Sequence, residues 1–137
     1  MKKTTTYLIH FIVGGIGYGL IEILFRGYTH WSMIITGGSA LLSLYIMNEA
    51  LKCTSIFIRA AAGSTTITVL EFTVGIIVNR IFLLDVWDYS DVPLNLLGQI
   101  SLPFSVCWYF LSFIVFLIFE IKDKLLYRRH SENLNAV

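Results

Sequence analysis

Charge is scarce in this sequence, and proline and cysteine are scarcer. Charged residues make up 14% of the chain and nearly cancel to a net +1, so the extended basic surface that nucleic-acid binding requires is missing. The two cysteines, Cys53 and Cys107, fall at different depths of the hydrophobic pattern described below, which argues against an intrachain disulfide and leaves two free thiols. No nucleophile elbow, HExxH, CxxC, EF-hand or Walker A motif occurs, so no catalytic set, metal site or cofactor is expected. Both prolines, Pro93 and Pro103, lie within one short segment.

Apolar residues are abundant instead. They make up 56% of the chain, and the mean hydropathy is +0.75, too high for an ordinary soluble domain. Four runs approach the ~20 residues that cross ~30 Å of hydrocarbon: Tyr7 to Phe25, Trp31 to Leu51, Arg59 or Ala60 to Arg80, and Ile100 to Ile121. The first follows Lys2 and Lys3 as a signal peptide would, but it is long, contains Glu22 and lacks a small-residue cleavage site, so a retained helix is expected. Basic residues set the orientation: Lys2, Lys3, Lys52, Arg59, Lys122, Lys124, Arg128 and Arg129 fall on one side, against Arg26 and Arg80 on the other. The expected fold is therefore an all-α integral membrane protein with four transmembrane helices, multi-pass, both termini cytoplasmic. It forms one domain over residues 1–130, with residues 131–137 as a disordered cytoplasmic tail and a long outer connection between helices 3 and 4.

The two halves carry a weak parallel repeat: GLIEILF, then Trp31, then Gly37-Gly38 in the first, and VLEFTV, then Trp87, then Gly98-Gln99 in the second. An axis along the membrane normal would relate them. Within the outer connection, Asp91 suits a helix cap and Pro93 a first helical turn, so helix 4 is expected to start near Pro93, with a bend near Pro103.

The polar residues inside the apolar runs are the functional candidates. A carboxylate in hydrocarbon costs several kcal/mol and finds a partner, lines water or takes up a proton. Gly15, Gly19, Glu22 and Arg26 share one face of helix 1, which places Arg26 one turn above Glu22. Ser64, Thr68, Glu71, Gly75 and Asn79 repeat the design on helix 3. The expected binding site is a polar pocket walled by Glu22, Arg26, Glu71 and Asn79 and roofed by Trp87, Asp88, Tyr89, Asn95 and Gln99, the last two as helical neighbours. A structural reading stands beside it: Glu22 pairs with Arg26, Glu71 with Arg80 or Tyr89, the aspartates serve as turn formers and caps, and Trp31, Trp87 and Tyr89 form an interfacial belt.

The segments TVLEFTVGIIVN (Thr68 to Asn79), VWDYSDVPLNLLGQISLPFS (Val86 to Ser105) and RGYTHWSMIITGG (Arg26 to Gly38) resemble the CmpB-like family of bacterial membrane proteins, classed with type IV ABC-transporter permeases. The resemblance covers most of the chain and implies a polytopic protein of the bacterial plasma membrane. It leaves room for a separate ATPase subunit as partner, but the sequence departs from the transporter label: it holds no nucleotide-binding domain, the short connection Leu51 to Ile58 does not look like a sizeable coupling helix, and Leu96 to Gln99 is not an ABC signature because the charge bias places it outside the cell. Three functions compete. The first is a transport protein or permease subunit that binds a small polar or cationic solute, working as a homo-oligomer with glycine faces in contact. The second is a non-catalytic membrane module that binds a lipid or a partner protein. The third is a membrane-embedded lipid-modifying enzyme using Glu71 or Asp88 as acid or base.

Overall fold

The computed structural model describes residues 3–135, with side chains described to residue 132. Four helices make up most of the chain: α1 (Lys3–Arg26), α2 (Trp31–Ala50), α3 (Ile56–Gly75), prolonged by a π-helical turn over Ile76–Ile81, and α4 (Leu102–Asn135). Between α3 and α4 a minimal hairpin, β1 (Asn95–Leu96) and β2 (Ile100–Ser101), pairs antiparallel with Asn95 opposite Ser101. Three helical stretches, Lys3–Arg26, Ile56–Ile81 and Leu102–Glu132, are long and apolar enough to cross a membrane. The remaining helix, α2, carries buried Ser32, Thr36, Gly37, Gly38 and Asn48, which lower its hydropathy because it is the most enclosed of the four.

Local chemistry ends the helices where the hydropathy pattern only suggests it. Gly27, at φ +79, takes the left-handed conformation that closes α1, and its N–H reaches Ile23 O at 2.9 Å. His30 then caps α2 by accepting from Ser32 N at 3.3 Å, and Ser55 caps α3 by accepting from Phe57 N at 3.3 Å. α4 runs on through residues expected to form a disordered tail as far as Asn135; residues 136 and 137 lie outside the described residues.

Neighbouring helices alternate in direction, so the ends of α1 and α3 share one end of the bundle, called the upper end below, with the start of α2. α1 packs on α2 through glycines placed for close approach. A Cβ at Gly14 would stand 2.5 Å from Gly37 O, and one at Gly15 2.7 Å from Ile34 O. The glycine faces are thus consumed inside the chain, which corrects the expectation that they form a contact between subunits. Gly63 likewise brings α3 against Ser112 of α4. Two buried apolar clusters result, Met33, Val78, Val86 and Trp87 above and Ala40, Leu44, Ile67 and Phe116 below.

The connection from α3 to α4 departs from expectation. α4 begins at Leu102, not near Pro93, and Pro93 to Gln99 is not helical. The reason is conformational: Leu83, Asp85, Leu94 and Leu97 have φ values of 45 to 55, and Gly98 has φ +68, which no right-handed helix accommodates. Asn95 supports the turn, donating to Ser90 O (3.1 Å) and Val92 O (2.9 Å) and accepting from Gly98 N (3.1 Å). Asn95 and Gln99 are therefore not helical neighbours, Asp91 caps no helix, and Pro103 sits harmlessly in the first turn of α4 with no bend to explain.

Candidate functional site

The nine expected site residues fall into separate hydrogen-bonded sets. On α1, Glu22 is buried and accepts from Arg26 Nη1 at 2.9 Å and from Thr29 Oγ1 at 2.6 Å. Arg26 also donates to Tyr28 Oη at 3.1 Å, lies over its ring, and donates to the carbonyl of Val86. The i,i+4 spacing thus makes the expected ion pair, and the arginine ties α1 to the α3–α4 connection.

Asn79 centres the second set. Its Nδ2 donates to Trp87 O at 3.0 Å and Gln99 Oε1 at 2.8 Å, while its Oδ1 accepts from Val86 N at 2.7 Å. Trp87 Nε1 closes the set on Gln99 O at 3.0 Å. Every member is buried, so Trp87 is a core residue and not part of an interfacial belt, unlike Trp31, which is 55% exposed. The π-helical turn over Ile76–Ile81 supplies the geometry, since its wider winding re-aims Asn79 relative to a continuous α-helix.

Glu71 is different. At 2% exposure it is one of the most enclosed side chains, and its two oxygens accept from Tyr89 Oη at 3.0 Å and Trp108 Nε1 at 2.9 Å. Of the two sequence alternatives, Tyr89 is the partner; Arg80 turns instead to Leu97 O at 3.0 Å. Burial, together with the neighbouring carboxylate, pushes the Tyr89 phenol above its ordinary range, which keeps it a neutral donor. Glu71 therefore has hydrogen bonds but no salt-bridge partner among the described residues, whereas Glu22 has both.

Glu71 also lines a half-open cavity of about 240 Å³, otherwise almost wholly apolar, walled by residues of α1, α2, α3 and α4. α1 and α4 meet in its wall at Tyr18–Trp108 and below it at His10–Phe119, each pair 5.8 Å between ring centroids. Between those contacts the walls are Val13, Gly17, Leu111 and Val115, with Gly37 and Ile67 behind them. Glu22, Arg26, Asn79 and the whole expected roof lie off this cavity. Asp88 is exposed and accepts from Ser90 N (2.8 Å) and Ser90 Oγ (2.5 Å), bonds that hold its carboxyl below the usual carboxylate range.

Sequence reasoning missed Tyr18 and Trp108, which look like ordinary apolar-run aromatics until tertiary structure sets them beside Glu71. It also missed a lower polar cluster. Arg59, counted as a cytoplasmic-edge charge, is 4% exposed; it donates to Asn48 Oδ1 at 2.8 Å, pairs with Glu120 and lies over the Phe116 ring. The available signal was Glu120 itself, a lone acid closing the apolar run of helix 4.

A bundle of apolar helices with polar residues turned inward, most of them hydrogen-bonded there, defines an integral membrane protein of the polytopic helical class. Within that class, residues 9–136 match the model of the family described as "Putative ABC-transporter type IV", the CmpB family, and the chain belongs to it. No solved structure matches the chain.

Proposed function

We propose that this chain is the membrane subunit of a transporter, and that the cavity between α1 and α4 receives a small hydrophobic cation whose positive group meets Glu71. The observation that carries the reading is a buried carboxylate without a salt-bridge partner, lining an apolar cavity between two aromatic rings. Charge attraction, cation–π contact with Tyr18 and Trp108, and apolar burial then act on one ligand. The volume of about 240 Å³ lies below the ~300–1,000 Å³ typical of pockets for drug-sized molecules, which favours a compact occupant. In this reading Glu22, Arg26, Asn79, Trp87, Gln99, Asp88 and Asn95 build the wall and the covering connection, while Glu71 is the binding carboxylate and Tyr89, off the cavity, positions it.

The remaining topology follows the same reading. α2 is about 30 Å long by its 20 residues and serves as the fourth span. The basic residues place both termini in the cytoplasm of a bacterial plasma membrane and the upper end outside. One cavity of this size is no continuous pathway, so in this reading transport uses a homo-oligomer, and membership of the family supports a separate ATPase subunit as partner.

The test is thermal unfolding of purified protein in detergent with tetraphenylphosphonium or benzyltrimethylammonium, against uncharged isosteres. The cations raise Tm, Glu71→Gln abolishes the rise, and Glu22→Gln retains it. A rise that survives Glu71→Gln, or none with any cation, removes the cavity from the mechanism. The second reading, a non-transporting module that binds a lipid chain, is favoured by the apolar lining alone and predicts equal shifts with charged and uncharged compounds.

A further inference from the structure

The register between α3 and α4 is uneven at its upper end. Ser64 Oγ donates to Ser105 O at 2.6 Å and Thr68 Oγ1 to Ser105 Oγ at 3.0 Å, while Gly75 packs against Gln99 and Trp87. Extrapolated along the antiparallel pair, the first residue of α4, Leu102, stands opposite the level of Glu71. Helical winding on the α3 side continues from Glu71 to Ile81, roughly 15 Å further at ~1.5 Å per residue. The chain between α3 and α4 therefore does not sit above Ile81 as an external cover. It descends beside the last turns of an apolar spanning helix: Val86 and Trp87 pack with Val78, and Tyr89 reaches Glu71.

Irregular backbone at that depth survives only where its N–H and C=O groups are satisfied within the protein. Several of them are satisfied here, by groups drawn from several elements. Asn79 serves Val86 N and Trp87 O, Arg26 serves Val86 O, Arg80 and Gln99 Nε2 both serve Leu97 O, and Leu102 N reaches Leu94 O at 3.2 Å. The outward side is apolar. Leu83 and Leu94 are 74% and 73% exposed, and Leu97 is 54% exposed. All three have φ near +55, a conformation that turns in water assign to glycine or asparagine. A water-exposed turn gains nothing from leucine at such positions, because it carries both the backbone strain and the exposed side chain. Leucine is favoured there if the side chain meets hydrocarbon.

From this geometry we infer that Phe82 to Ser101 is a re-entrant hairpin that dips into one leaflet and lays Leu83, Leu94 and Leu97 against lipid acyl chains. Asp85 and Asp91 mark its aqueous edge. The inference is independent of what the α1–α4 cavity binds, since it rests on register, backbone bonding and the exposed leucines.

Single cysteines at Leu83, Leu94, Leu97 and Asp91, in a Cys53→Ser, Cys107→Ser background, are labelled with bimane and reconstituted in vesicles. Monodispersity and unchanged Tm select the variants that retain the fold. The expected result is that bimane at the three leucine positions loses fluorescence to lipids brominated on the acyl chain and resists aqueous iodide, with the opposite order at Asp91. Iodide quenching at Leu94 and Leu97 as strong as at Asp91 would overturn the inference and make the hairpin external. Protection from both quenchers would also overturn it, by showing that another protein chain covers the leucines.

Discussion

Glu22 and Glu71 are the same residue type in similar apolar helices, but Arg26 stands one turn from Glu22, whereas a phenol and an indole surround Glu71. Glu22→Gln keeps an acceptor for Thr29 and loses an ion pair whose arginine is 30% exposed, so its cost in detergent unfolding is below about 1.5 kcal/mol. Arg59 is the costlier charge to remove. Arg59→Met strands Asn48 and a Glu120 that is 33% exposed, and it is expected to lose about 2–4 kcal/mol, somewhat less than a fully buried broken pair; Lys52, which is 53% exposed, tolerates the same change. Asp88 gives a pH signature. Its carboxyl is depressed by Ser90, so the stabilisation is present above the ordinary aspartate value of about 3.9 and is lost as pH falls through the lower folded value. The melting temperature is therefore expected to be flat near neutrality with respect to this group and to fall slightly on acidification below about pH 4, a fall that Asp88→Asn reduces.

At the scale of elements, the π-helical turn and the α3–α4 connection depend on each other. Asn79→Leu leaves Val86 N and Trp87 O without their partner in a buried setting, at an expected cost of about 2–4 kcal/mol in detergent unfolding. Gln99→Leu removes one of the two acceptors of Asn79 Nδ2, leaves the bond to Trp87 O, and costs less. Pro103→Ala is expected to change stability by less than about 1 kcal/mol, because a first-turn proline spares no hydrogen bond and kinks nothing. Helix existence and most boundaries were legible from hydropathy, since run length and the Gly27, His30 and Ser55 signals are local. The start of α4 was not legible. Asp91 and Pro93 carry good local signals for a helix start, but left-handed Leu94 and Leu97, with Asn95, form a turn there instead, and leucine gives no sequence warning of that conformation.

For the molecule as a whole, alternation of four helices puts both described chain ends at the lower end, the end that the proposed topology holds in the cytoplasm. Reporter fusions at either terminus should give fluorescent GFP and inactive alkaline phosphatase, whereas phosphatase fused after Gly27 should be active; the opposite pattern would invert the topology. Residue types on apolar faces were enough to nominate Glu22, Arg26, Glu71 and Asn79 from sequence, because an ionisable or amide group in hydrocarbon has few harmless explanations. Their grouping into one pocket did not survive folding. Amino-acid composition by itself determined that the solvent is a bilayer, that the elements are helices and that the few buried polar groups must be partnered, since transfer energies act on each residue wherever it packs. Only the tertiary structure decided which partner each group receives, that Glu71 alone of the nominated residues lines the apolar cavity, and that the polar interruption before α4 descends beside α3. Those outcomes depend on helix register and on side chains far apart in sequence.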